Sequence, residues 1–174
     1  MRATQIAVAA LAAALLLTAC DSGGGDSGST NKNKAGGGCT LDTVGVQVAA
    51  SAAPSAGDSG NVTVTLTNRG AKCTLNGFPG VALQAGGASD AVPADKAAKA
   101  QKLDLAKGAT ASFTISYVRG KAGGQKSLPV KTAKFTLPGA TAGHSFTWSY
   151  GEVALKGGAG GPNASVSPFQ QAGD

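Results

Sequence analysis

Cys20 is the first residue of the chain whose setting points to a defined chemistry. It follows Leu17, Thr18 and Ala19, and this pattern of one branched apolar residue, two small residues and Cys is typical of the bacterial lipobox. In that chemistry the Cys thiol takes a diacylglycerol thioether, and the small residues fit the narrow site of the lipoprotein signal peptidase. The pattern therefore predicts a lipoprotein signal peptide over residues 1–19 and a lipidated Cys20. The alternative is an ordinary signal peptide followed by a chance Cys.

The segments on both sides of Cys20 also suit an exported, anchored protein. Arg2 is followed by an apolar run over residues 6–17. As a helix this run would be about 18 Å long, against about 30 Å of hydrocarbon, so it is typical of a signal peptide and too short to span a bilayer. Residues 21–38 are almost entirely small or polar, which predicts a disordered tether. We therefore expect a domain held outside the cell, on the outer face of the cell membrane.

Cys39 and Cys73 are the two remaining cysteines. An even pair in an exported chain predicts a disulfide, with two free thiols as the alternative. The chain has no Cys-x-x-Cys spacing, so neither a thioredoxin-type redox motif nor a zinc knuckle is indicated.

Groups that could perform catalysis are scarce. Residues 57–60 read Gly-Asp-Ser-Gly, as around a serine-protease nucleophile, but the same four letters recur at residues 25–28 in the tether. His144 is the only histidine, and the acidic residues are scattered singly, so no oriented triad is predicted. Residues 120–127 have Gln125 where a phosphate-binding loop needs Gly, which indicates a hairpin loop. We predict no metal, no cofactor and no enzymatic activity.

Lys96, Lys99 and Lys102 are the candidate ligand-facing cations in a chain of formal net charge +6. They lie in one connecting segment and could face anionic lipid headgroups or an anionic cell-wall polymer. The alternative, which we favour for the segment itself, is a solvated connection. Basic residues interleaved with aromatic ones are lacking, so nucleic acid is not an expected partner.

Trp148 is the second kind of candidate contact. With Phe146 and Tyr150 it would share one face of a strand, where the rings could stack on sugars. The alternative, which we favour, is that these rings supply the core, because aromatic residues are only 5% of the chain.

The elements that must position these residues are strands, because apolar residues recur with a period of two. The alternating segments are residues 44–48, 62–67, 111–118, 133–137 and 146–150, with shorter candidates at 81–84, 103–105, 153–155 and 165–169. Each pattern predicts an antiparallel strand with one wet face. We therefore predict that residues 39–174 form an all-β, immunoglobulin-like antiparallel β-sandwich of about seven to nine short strands, with a short flexible C-terminal tail. Residues 94–101 are the one helix candidate, with an irregular connection as the alternative.

One segment carries a resemblance to a known family. Residues 67–81 contain T-N-x-G-x-x-C-x-L-x-G-x-P-G-V, and Leu105 and Gly108 begin and end an L-x-x-G turn before the strand at 111–118. This arrangement resembles the actinobacterial lipoproteins that carry domain of unknown function forty-two thirty-two, over residues 39–169. The resemblance implies a β domain at the cell envelope and no assigned activity. Many relatives carry a further cysteine pair towards the C-terminus, which this chain lacks.

These observations favour a non-catalytic binding or adhesion-type module, anchored to the membrane by its lipid. Expected partners are an anionic cell-wall polymer or another exported protein, and the module itself is expected to be a monomer. The alternatives are a purely structural envelope component or, less favoured, an enzyme of unrecognised type.

Overall fold

A computed structural model describes residues 37–157 and 160–172. The predicted signal peptide, Cys20 and residues 21–36 of the predicted tether lie outside the described residues. A short 3₁₀ turn at Leu41–Thr43 precedes the first strand. The thirteen strands are β1 (Val44–Ser51), β2 (Ser59–Asn68), β3 (Cys73–Asn76), β4 (Gly80–Ala85), β5 (Ala88–Val92), β6 (Lys102–Leu105), β7 (Thr110–Val118), β8 (Ser127–Leu128), β9 (Thr132–Thr136), β10 (Gly143–Thr147), β11 (Val153–Ala154), β12 (Ala164–Val166) and β13 (Gln170–Gln171).

The strands form two principal sheets, and every pairing between named strands is antiparallel. The larger sheet has the order β1-β2-β7-β12, with β13 also pairing to β7. The second sheet has the order β10-β9-β4-β5, and two small ladders join β11 to β8 and β3 to β6. The long central strands β2 and β7 follow the predicted alternation, with one buried and one wetter face.

The two principal sheets pack face to face over one hydrophobic core. Phe113 on β7 contacts Phe135 on β9 across the sheets, with ring centroids 5.3 Å apart, and Phe169 closes over Phe113 at 5.7 Å. All three rings are fully buried, and burial of such a side chain contributes about 1.5–3 kcal/mol. The predicted all-β antiparallel sandwich is confirmed. The number of strands exceeds the seven to nine predicted, in part because β8, β11 and β13 are short strands of only two residues each.

The helix considered for residues 94–101 is wrong. Asp95 turns the chain with its own side chain, whose Oδ1 accepts the Ala97 N–H at 2.9 Å. The backbone on either side is paired with the edge of β12, because Val166 donates to Pro93 O at 3.0 Å and accepts from Asp95 N at 2.9 Å. Groups committed to a neighbouring strand cannot also form the i to i−4 ladder of a helix. The connection from β5 to β6 is therefore an irregular strap along the sheet edge.

The aromatic strand is shorter than its sequence pattern. β10 ends at Thr147, so Trp148 and Tyr150 lie beyond the strand rather than on one of its faces. Within residues 37–157 and 160–172, no helix is long and apolar enough to cross a membrane.

Candidate functional site

The predicted disulfide lies where the domain begins. The Cys39 and Cys73 sulfurs are bonded, with their Cα atoms 4.9 Å apart. Beside the bond, Thr74 N donates to Gly37 O at 3.1 Å and Cys39 N donates to Thr74 O at 3.0 Å. The chain that enters from the tether is therefore held to β3 by one covalent bond and two hydrogen bonds.

Asn68 is a buried polar residue at the end of β2 that the sequence analysis did not single out. Its side chain is 0% exposed, and its Nδ2 donates to Ala71 O at 2.9 Å, Leu105 O at 3.0 Å and Ala106 O at 3.2 Å. Its Oδ1 accepts the Gly70 N–H at 2.9 Å. Asn68 thus joins the end of β2 to the turn after β6. A signal was present in the sequence, because this Asn occupies an inward position of the alternating strand, where an apolar residue is expected.

The three candidate lysines are all exposed, but they do not converge. Lys99 lines a groove of about 310 Å³ together with Gln101 and Gln170. Lys96 lies in the turn of the strap against β12. Lys102 and Leu103 point to opposite faces of β6, and Leu103 lies on the groove side. The structure therefore leaves these cations on different surfaces.

Lys102 shares its face of β6 with Asp104, which is also close to Lys72. The Lys72 Nζ lies 3.3 Å from Asp104 Oδ2, and Thr74 Oγ1 donates to Asp104 Oδ1 at 3.1 Å. The hydrogen bond from Thr74 lowers the pKa of the Asp104 carboxyl most, followed by the hydrogen bond and charge of Lys72 and then by the charge of Lys102. The ionised carboxylate offsets part of the positive charge on this face.

Trp148 lies in the core and is only 4% exposed. Its Nε1 donates to Gly151 O at 2.8 Å, and its ring packs edge to face against Tyr117 and Tyr150, each with centroids 5.0 Å away. The ring therefore has almost no free face for a ligand, and the sugar-stacking hypothesis for Trp148 is corrected to the core alternative. Trp148 is also distant from Lys99, because Tyr117 and the groove near Gln170 lie towards opposite ends of β7.

The loop after β7 borders an open concavity. We call it the Arg119 groove; its volume is about 590 Å³, and it is lined by residues that include Arg119, Lys121 and Lys126. The Arg119 guanidinium is held in place, because its Nη1 donates to Ala53 O at 2.7 Å and to Pro54 O at 2.9 Å. Lys121 and Lys126 are exposed at its rim. Lys121 and Lys126 therefore give this groove two exposed positive charges, while the Arg119 guanidinium is bonded to backbone oxygens of the neighbouring loop.

Glu152 supports the floor of the same loop. Its Oε1 accepts the Gly123 N–H at 2.9 Å, and its backbone oxygen accepts the Gly120 N–H at 2.7 Å. The loop is also closed by a turn in which Gly124 N donates to Lys121 O at 2.9 Å. Residues 120–127, which were predicted to be a hairpin loop, therefore form a hydrogen-bonded loop that carries Lys121 and Lys126. In the part of the chain that the structure describes, no group of three or more His, Cys, Asp or Glu side chains is placed to hold a metal ion.

Comparison with known proteins identifies the domain. The family described as Domain of unknown function (DUF4232) matches residues 39–170, from the disulfide to the last strand. The chain belongs to the DUF4232 family. No curated protein matches the sequence.

The DUF4232 match spans both the motif at residues 67–81 and the turn that ends at Gly108. In the structure these two segments meet at Asn68, whose backbone oxygen accepts the Gly108 N–H at 2.7 Å. Gly77 and Gly108 both have positive φ, +92° and +84°, which residues with a Cβ rarely adopt. The motif at residues 67–81 and the turn at Gly108 are therefore accounted for by folding, and the Arg119 groove lies outside these two segments.

Proposed function

We propose that this DUF4232 domain is a non-catalytic binding module, anchored by a lipid on Cys20, that recognises an anionic cell-wall polymer outside the membrane. The proposal rests on the Arg119 groove, a positively lined concavity at one end of a disulfide-linked β-sandwich. Loops carried on a rigid sheet scaffold are common recognition surfaces, because they can vary without disturbing the core.

The charge balance of the domain supports an anionic partner. Within residues 37–172, twelve Lys and Arg side chains accompany six Asp and Glu side chains. The pair between Lys72 and Asp104 is the one ion pair formed among the described residues. Most of the lysines therefore keep their charge available to a partner, and such a field steers anions towards the surface.

Geometry favours the Arg119 groove over Lys96 and Lys99 of the strap and Lys102 of β6. Those three lysines diverge onto different surfaces, whereas Lys121 and Lys126 line one concavity. A repeating anion such as a phosphate-bearing polymer could contact both groove lysines at once. Each exposed charge contact is worth only about 0.2–1 kcal/mol, so several are needed for measurable affinity.

The test compares two sets of substitutions on the chain from Asn33 onward, using long-chain inorganic polyphosphate as the probe and uncharged dextran as its control. Because two exposed contacts are lost, Lys121→Ala with Lys126→Ala should weaken polyphosphate binding about tenfold. Lys96→Ala with Lys99→Ala and Lys102→Ala is the matched control and should weaken it much less. Binding should fall as salt is raised, since the Debye length is about 8 Å at physiological ionic strength.

Three results would contradict the proposal. Equal binding of dextran and polyphosphate would remove the role of charge. Loss of binding only in the strap variant would move the site to that segment. If no anionic polymer or phosphatidylglycerol vesicle binds at any salt concentration, the alternative of a purely structural envelope component is favoured instead.

A further inference from the structure

The strand β1 forms an open edge of the larger sheet. In the part of the chain that the structure describes, β1 pairs with β2 alone. The opposite edge of this sheet, at β12, is covered by the strap through Pro93 and Asp95. β1 therefore presents a row of backbone groups along eight residues, Val44–Ser51.

The pairing with β2 shows which groups point outward. Arg69 N donates to Thr43 O at 2.8 Å, so Thr43 and Arg69 form a hydrogen-bonded pair at the start of the ladder. Since such pairs alternate along antiparallel strands, the backbone groups of Val46, Val48 and Ala50 are directed away from β2. None of these three residues makes a backbone hydrogen bond outside the ladder within the described residues.

This edge lacks the features that usually protect a free strand. β1 has no charged residue and no proline, and its register with β2 is continuous, without a bulge, from Val44 to Ser51. Natural edge strands are commonly interrupted by one of these features, because an unprotected edge pairs with other strands. The side chains of Val46 and Val48 are also only partly buried against the core.

In place of the monomer expected from the sequence, we propose that β1 pairs antiparallel with β1 of a second copy of this chain, about a two-fold axis at Val48. In this register Val48 lies opposite Val48 of the second copy, and Val46 lies opposite Ala50 of the second copy. The outward backbone groups then match, giving six hydrogen bonds, two for each of the three residue pairs. The β1-β2-β7-β12 sheets of the two copies then join into one continuous sheet across an isologous interface.

The outer face of β1 carries no charge that would repel a second copy, although the domain is basic overall. The outer face of β1 carries Gly45, Gln47, Ala49 and Ser51, none of which is charged. Arg69 is the nearest cation, because its guanidinium lies over Gly45. In the proposed register the two Arg69 groups would be six residues apart along the strands, about 20 Å, which exceeds the screening length of about 8 Å. The self-pairing therefore keeps the two Arg69 charges apart.

The experiment uses the chain from Asn33 onward, because Asn33–Asp174 is a compact unit of its own. Sedimentation velocity should show the mass doubling as protein concentration is raised. Hydrogen exchange at the amides of Val46, Val48 and Ala50 should slow over the same concentration range. Both results follow if these amides become hydrogen-bonded on association.

Two independent substitutions test the register, so the result does not depend on one variant folding correctly. Val48→Lys places two ammonium groups opposite each other, and Ala50→Pro removes an N–H that β2 does not use. Each should return the protein to a single-chain mass with its unfolding transition retained. Ser145→Lys on the exposed edge strand β10 is the matched control and should still dimerise.

Several outcomes overturn the proposal. They are a single-chain mass at every concentration, a dimer that survives both β1 substitutions, and a dimer lost in Ser145→Lys. Slow exchange of the three amides in a single-chain species would also overturn it, because a segment of the same chain would then cover the edge. A single-chain species whose amides slow only on addition of exported proteins would assign the edge to another partner.

Discussion

At the residue scale, Asn68 shows how a single amide can hold separate segments of the chain together. Its side chain, which is itself fully buried, connects β2 to the turn at Gly70 and to the turn after β6. A buried amide that is left without hydrogen-bond partners costs free energy. The four hydrogen bonds of the Asn68 side chain must therefore form together in the folded state. The residue is therefore required by the fold rather than by a ligand.

Substitution of Asn68 by Ala should strongly destabilise the domain. The change leaves the backbone oxygens of Ala71, Leu105 and Ala106 without their donor, and we expect the free energy of unfolding to fall by about 3 kcal/mol. Urea unfolding measures this loss. Asn76→Ala is the matched control, because Asn76 is exposed, and it should change stability by less than about 0.5 kcal/mol. Similar stability of the two variants would contradict the structural role of Asn68.

Asp104 provides a test of local electrostatics. Its pKa is lowered from the ordinary value of 3.8, with the hydrogen bond from Thr74 as the largest cause. Because the pKa is lower in the folded protein, ionisation of Asp104 favours the folded state above about pH 4, and this contribution disappears as pH falls through the lowered pKa. Thr74→Val should raise the pKa of Asp104 in an NMR titration. Lys102→Ala should raise it less, and the reverse order would be inconsistent with the geometry.

At the element scale, the long strands were predictable because their burial alternates residue by residue. The segments at 62–67 and 111–118 became the central strands β2 and β7, where one face packs and the other is wetter. The strand pattern at 146–150 failed at its end, because Trp148 is placed by its bond to Gly151 O and its ring contacts rather than by a ladder. The strap at 94–101 failed as a helix because the partner of its backbone, β12, is distant in sequence.

The disulfide joins the segment before β1 to the start of β3. Cys39 and Cys73 are 34 residues apart, so the bond restricts the unfolded chain and should contribute roughly 3.8 kcal/mol on the loop-entropy model. Replacing both cysteines by Ala should lower the denaturant midpoint accordingly while retaining the β spectrum. Non-reducing mass spectrometry of tryptic peptides checks the bond directly. Alkylation of both thiols without reductant would show that the bond is absent from the isolated protein.

At the scale of the whole molecule, the candidate binding surface was only partly accessible from sequence. The positive charge and the loop at 119–126 were visible as a pattern, but the groove is also lined by Ala56 and Gly57 from another loop, where Gly57 N donates to Arg119 O at 2.8 Å. Lys96, Lys99 and Lys102 looked like one cluster because they are close in sequence, but alternation along β6 turns Lys102 away from the groove that Lys99 lines. The sequence therefore predicted that this segment is positively charged, but not where its lysines lie on the surface.

The proposed anchor requires that Cys20 become the first residue of the mature protein and carry the lipid. In a bacterial host that processes lipoproteins, an alkyne fatty acid should label the full chain. Cys20→Ala should abolish the label, because the substitution removes the only thiol in the lipobox pattern. The paired control is Cys39→Ala with Cys73→Ala, which removes the other two thiols and should leave the label in place. Detergent phase partitioning should move the labelled wild-type protein into the detergent phase. A wild-type chain without label, or a label that persists in Cys20→Ala, would contradict the anchor and leave the charged groove to act on a protein that is not held by a lipid.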